Sequence, residues 1–129
     1  MEKNVGFRGE FMLDHASVRS IWNQISTSRG LSEWLAPKVD VSVKHIKIDW
    51  DGEGDLREAT IVERDPDHFI KWVWDDDERS FVTMEIVKTE LTSTVSLLVE
   101  DNDVEMETDV LRELWEYHIE QLRRTLGID

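Results

Sequence analysis

The last stretch of the chain constrains the fold most. Projected at ~100° per residue, Leu111, Leu114, Trp115, His118, Ile119, Leu122 and Leu126 fall within an arc of about 140°. Arg112, Glu113, Glu116, Glu120, Arg123 and Arg124 occupy the other side. The spacing predicts an amphipathic helix over 109–126, roughly 27 Å long. Such a helix is long enough to lie across a whole antiparallel sheet. Thr108 or Asp109 is expected to cap its start, and Gly127 to stop it. Arg123 and Arg124 suit the negative end of its dipole.

The preceding residues read as the sheet. Over 3–13, Val5, Phe7, Gly9, Phe11 and Leu13 alternate with Gly6, Arg8, Glu10 and Met12, which is strand periodicity. Asp14 suits a helix cap, with His15 in the first turn and Val18, Ile21, Trp22 and Ile25 following at helical spacing. A second short helix is expected over 28–35, carrying Leu31, Trp34 and Leu35, with Pro37 blocking its continuation. From Lys38 to Asp101 the pattern is strand, turn, strand. Val39, Val41 and Val43 are out of step with Ile46, Ile48 and Trp50, which suggests a bulge or bend near Lys44 and His45. Asp51-Gly52-Glu53-Gly54 is a hairpin turn. Strands are expected around 58–64, 69–74, 81–87 and 94–100, joined by turns short enough to make neighbours antiparallel.

Composition narrows the function classes. A chain of 129 residues is expected to form one domain, 1–129, with a core that needs no disulfide. With no cysteine, thiolate zinc sites and cysteine nucleophiles are excluded. Fifteen Lys and Arg against 29 Asp and Glu give a net charge of −14, which argues against nucleic acid and anionic membrane as partners. The first residues show no apolar run after a basic start, and no stretch reaches the ~18 apolar residues of a membrane helix. A cytoplasmic protein is the default expectation. Two prolines and six glycines leave no linker, and no internal repeat is found.

Several constellations have plainer explanations than chemistry. Residues 49–55 place acids at alternate positions as a calcium loop does, but Thr60 stands where its bidentate Glu belongs. A polar turn is the better reading, and no metal site or cofactor is expected. Asp75 to Glu78 reads as a solvated hairpin end, which also deters edge pairing. The acids from Glu100 to Asp109 favour the start of the last helix. His15, His45, His68 and His118 lack metal-binding spacing. His118 alone falls in an apolar stripe, either as a core histidine or as a polar contact to a ligand, and both readings predict a hydrogen bond. Neither a Gly-x-Ser-x-Gly elbow nor a phosphate-cradling loop is present, so no catalytic residue is named.

The order of elements resembles the helix-grip fold of START-like (SRPBCC) proteins. "TSRGLSEWLAP" (27–37), "IKWVW" (70–74) with "FVTMEI" (81–86), and "LWEYHIEQLRRTLG" (114–127) are similar to segments of the activator of heat-shock-protein ATPase homologue (AHSA-like) family. The resemblance implies an α+β fold. A curved antiparallel sheet of about six to seven strands would wrap the C-terminal helix, with two short helices after the first strand. It also implies a non-enzymatic module holding a small hydrophobic or aromatic ligand between sheet and helix. The tryptophans are then either all core or partly cavity wall. Under the second reading the ligand contacts are Trp34, Trp72, Trp74, Phe81, Leu97, Trp115, His118 and Ile119, with Trp72 and Trp74 included on the resemblance. A void of ~300 Å³ or more would favour this reading. The rivals are a protein-interaction module with a chaperone-like partner and a polyketide-cyclase-like enzyme. Monomer and homodimer both stay open.

Overall fold

Alternating apolar residues build most of the molecule. The computed structural model describes residues 6–103 and 105–128. In chain order it contains β1 (Phe7–Met12), α1 (Val18–Ser26), α2 (Ser28–Trp34), β2 (Lys38–Val41), β3 (His45–Asp49), β4 (Leu56–Asp65), β5 (Phe69–Trp74), β6 (Phe81–Thr89), β7 (Thr94–Asp101) and α3 (Thr108–Leu126). Residues 3–5 of the first expected strand lie outside the described residues. The strands form one curved antiparallel sheet in the order β1-β7-β6-β5-β4-β3-β2. Pairing of Phe7 with Asp101 and of Met12 with Ser96 brings the first strand against the last. This is the α+β helix-grip arrangement expected above.

One face of the sheet is apolar and meets the helices. Ile70, Trp72 and Trp74 point inward on β5, and Val82, Met84 and Ile86 on β6, each alternating with half-exposed neighbours. On α3 the buried stripe is Leu111, Trp115, His118, Ile119 and Leu122. The helix ends where Gly127 turns left-handed at φ 78° and gives its N–H to the Arg123 and Arg124 carbonyls. None of the helices in the described residues is long and apolar enough to cross a membrane.

Local chemistry departs from expectation at the starts of α1 and α3. Asp14 does not cap α1; Ser17 does, accepting the Ser20 N–H at 3.0 Å, because His15 turns left-handed at φ 79° before the helix starts. His15 therefore precedes the first turn. The offset near Lys44 is the bend of the two alternatives, a tight turn between β2 and β3, which pair with each other. The register shift of the sheet falls instead between Ile61 and Glu63 in β4. Finally, α3 starts after Glu107 with no side-chain cap, since the Thr108 hydroxyl donates instead to the Gly6 carbonyl at 2.8 Å. The Asp49 carboxylate, first acid of the calcium-like run, accepts the Gly52 and Gly54 N–H groups and so shapes the turn.

Candidate functional site

The helix packs closely over only part of the sheet. Near β1 and β7, Leu111, Ile119 and Leu122 join Leu13, Leu97 and Val99 in the core. At the end of the sheet where β5 and β7 finish and β4 and β6 begin, sheet and helix part. A cavity of about 650 Å³ lies there between α2, α3 and the strand ends.

Five indoles stand in its wall. Trp34 from α2, Trp50 just after β3, Trp72 and Trp74 from β5, and Trp115 from α3 line it, five of the six tryptophans. Trp72 and Trp74 meet edge-on at 6.3 Å, and Trp74 is 6.3 Å from Trp50. His118 sits among the rings, stacked on Trp50 at 6.4 Å and edge-on to Trp115 at 5.5 Å and Trp34 at 6.4 Å. Offset and edge-on contacts at these spacings are the favourable ones for aromatic rings. The sixth tryptophan, Trp22, belongs to the core on α1.

A small set of polar groups shares this wall. Arg57 lies over the Trp74 ring at 4.1 Å and donates to Asp103 at 3.2 Å and to Asp76 at 3.1 Å. Asp101 is 7% exposed. One of its oxygens accepts the Trp115 indole N–H at 2.7 Å, and the other has no partner. Burial pushes its carboxyl up to about 6, the Trp115 bond acting the other way. His118 is 6% exposed, and burial pushes its imidazole down to about 4. The Trp34 backbone opposes that shift from outside hydrogen-bonding geometry. Neither ring nitrogen of His118 has a hydrogen-bond partner, nor does the indole N–H of Trp72.

The hydrogen bond expected at His118 is therefore absent. Two of the indoles around it spend their N–H groups elsewhere, Trp34 on the Gln24 carbonyl and Trp115 on Asp101. Of the other residues named from sequence, Trp34, Trp72, Trp74 and Trp115 are brought together with His118 at the cavity. Leu97 and Ile119 are fully buried in the adjoining core rather than on the cavity wall. Phe81 is placed on the opposite face of the sheet, under the Lys71 ammonium at 4.6 Å. It shares its side of β6 with Thr83 and Glu85, so the alternation puts it outside. Sequence reasoning missed Trp50, Arg57 and Asp101. Parity could have found all three: Trp50 follows Ile46 and Ile48, Arg57 precedes Ala59 and Ile61, and Asp101 follows Leu97 and Val99 on the inward side.

Comparison with known proteins gives one family. The profile of the START-like superfamily domain matches residues 1–128. No curated protein sequence matches the chain. Among solved structures, BfR322 from Bacteroides fragilis is 32% identical, with a TM-score of 0.66 over 96% of this chain and 92% of its own. The Aha1 dimer from Colwellia psychrerythraea has a TM-score of 0.73 at 16% identity, over 95% and 96% of the two chains. DynU16, a protein in the dynemicin biosynthetic locus, also has a TM-score of 0.73 at 15% identity. There the match covers 98% of this chain but 48% of DynU16. The last two likenesses concern the fold alone.

Proposed function

Because the chain belongs to the START-like superfamily, we propose that it is a binding module for a small hydrophobic or aromatic ligand, held between the sheet and α3 and released unchanged. The observation that carries this reading is the indole-walled cavity of about 650 Å³, within the size range of small-molecule sites. Rings fixed by one another offer a preorganised apolar surface, so little side-chain freedom is lost on binding. At neutral pH both Asp101 and His118 are mainly unprotonated, which provides acceptors but no matched general acid.

Native mass spectrometry of protein purified from its own host tests this directly. A copurifying small molecule, lost on denaturation, is the expected result. A hydrophobic ligand panel should also shift the tryptophan emission, since most of the indoles face the cavity. No bound molecule and no shift across the panel would overturn the reading.

Polar groups converging on the cavity favour a second reading, a cyclase-like enzyme, over a merely apolar container. Recovery of a captured ligand with altered mass would support it. A protein-interaction role rests on the net charge of −14 and predicts a salt-sensitive pull-down partner.

A further inference from the structure

The cavity carries more negative than positive charge, and its one cation is already engaged. Among the described residues lining it, Glu33 on α2, Asp101 on β7 and Asp103 just beyond are acidic, and Arg57 on β4 is the basic one. Arg57 is held by Asp103 and Asp76, leaving Asp101 a buried carboxylate with one oxygen bonded to Trp115 and the other free. Phe7 and Val82, the strand neighbours opposite Asp101, bring no charge to it, while the charges of Asp103 and Arg57 act on it with opposite signs. From α3, His118 is held neutral and Tyr117 lies at the rim. A buried carboxylate in such surroundings is stabilised by a cation, and indole faces attract one as well. The guanidinium of Arg57 over Trp74 is an instance within this wall.

We propose that this cavity selects a protonated amine on a small aromatic or apolar body, its ammonium group meeting the Asp101 carboxylate at the cavity wall. The inference rests on the reading that the cavity holds a ligand at all. The ring nitrogens of His118 and the indole N–H of Trp72 have no partner but are themselves closed off, so these two side chains meet the ligand through their rings. A carboxylate on the same body would meet the charge of Asp101, which no ion pair offsets, and no free cation among the described lining residues. Fatty acids and other organic anions are therefore excluded by the same groups that admit the amine. Binding of the ammonium also opposes the burial that pushes Asp101 up to about 6, so affinity and protonation are linked.

Three probes of one shape separate the charge from the cavity: 4-phenylbutylamine, 4-phenylbutanol and 4-phenylbutyrate. Calorimetry at pH 7.5 and physiological salt is expected to show the amine binding about tenfold or more tighter than the alcohol, with the butyrate weakest. Saturation should be one to one and should shift the indole N–H resonances of Trp72 and Trp115. At pH 5 the amine's advantage over the alcohol should shrink several-fold as Asp101 takes up a proton. Asp101→Asn should abolish the advantage while the alcohol still binds. Alcohol or butyrate binding as tightly as the amine would overturn the proposal and leave the cavity reading standing. So would an amine preference that ignores pH or moves neither indole resonance. Failure of all three probes to bind would overturn both.

Discussion

His118 and Asp101 lie in one wall, are buried by the same packing, and respond to it with opposite signs. For His118 the folded-state value, about 4, lies below the ordinary 6.5, so the unfolded chain binds the proton more readily. Its contribution to stability is lost as pH falls from about 6.5 toward 4. For Asp101 the folded-state value, about 6, lies above the ordinary 3.8, so the folded chain takes up the proton first. Its contribution is gained as pH falls from about 6 toward 3.8. The two effects are similar in size and nearly cancel across the same window. Removing one exposes the other. Relative to the unmodified protein, His118→Phe should gain about 2 kcal/mol of stability between pH 7 and pH 4.5, and Asp101→Asn should lose about as much. Urea midpoints at the two pH values measure both, and variants that track the unmodified protein would refute the assignment of buried, shifted groups.

At the level of elements, the two edges of the sheet are closed by helices through side-chain hydrogen bonds. On β2 the free edge belongs to Val39 and Val41. The Ser32 hydroxyl accepts from the Val39 N–H at 2.9 Å, and the Ser28 hydroxyl from the Val41 N–H at 2.7 Å. Residues four apart on α2 thus match residues two apart on the strand, because one helical turn and two strand residues span similar lengths. At the other edge, Arg123 near the end of α3 donates to the Met12 carbonyl at 2.7 Å, and Thr108 at its start donates to Gly6. Covering an edge in this way removes a template for strand addition. The double change Ser28→Ala with Ser32→Ala should cost about 1–3 kcal/mol. Hydrogen exchange at the Val39 and Val41 amides should accelerate, and unchanged exchange there would show the hydroxyls to be dispensable. The position of α2 depends on Gly30 as well, where a Cβ would fall 2.2 Å from the Asn23 carbonyl oxygen and 2.6 Å from the Gln24 Cα. Both obstacles are backbone, so Gly30→Ala should cost about 3 kcal/mol in a denaturation measurement. Elements of this kind were legible where one period dominates: α3 from its stripe and β5 from its turns. Caps were less so, because Asp14 and Ser17 are equally good cap residues and only the left-handed turn at His15 selects the second. Nor does periodicity separate the tight turn after Val41 from a bulge, since both produce the same change of parity.

At the scale of the whole molecule, the site is assembled by contacts that local pattern does not reveal. Asp101 faces Trp115 only because β7 lies between β1 and β6 beneath α3, and no spacing along the chain encodes that arrangement. Inward parity marks which residues reach the interior, which is why five of the eight residues named from sequence meet at the cavity. It does not mark where sheet and helix separate, so Leu97 and Ile119 share the stripe pattern and yet belong to solid core. The acids behave differently, being spread over turns and the outer face of α3, where Asp76, Asp77, Asp109 and Glu120 find arginines. The exposed pairs on α3, Arg112 with Asp109 and Arg124 with Glu120, contribute little, and a net charge of −14 leaves a surplus of repulsion in the folded state. Repulsion among exposed charges is screened over about 10 Å at 0.1 M salt, whereas the indole core does not depend on screening. The urea midpoint should therefore rise as sodium chloride is raised from about 0.02 M to 0.5 M, with most of the gain below about 0.2 M. A midpoint that fell with salt would mean that the surface ion pairs outweigh the repulsion, and that the acidic surplus is already offset in the fold.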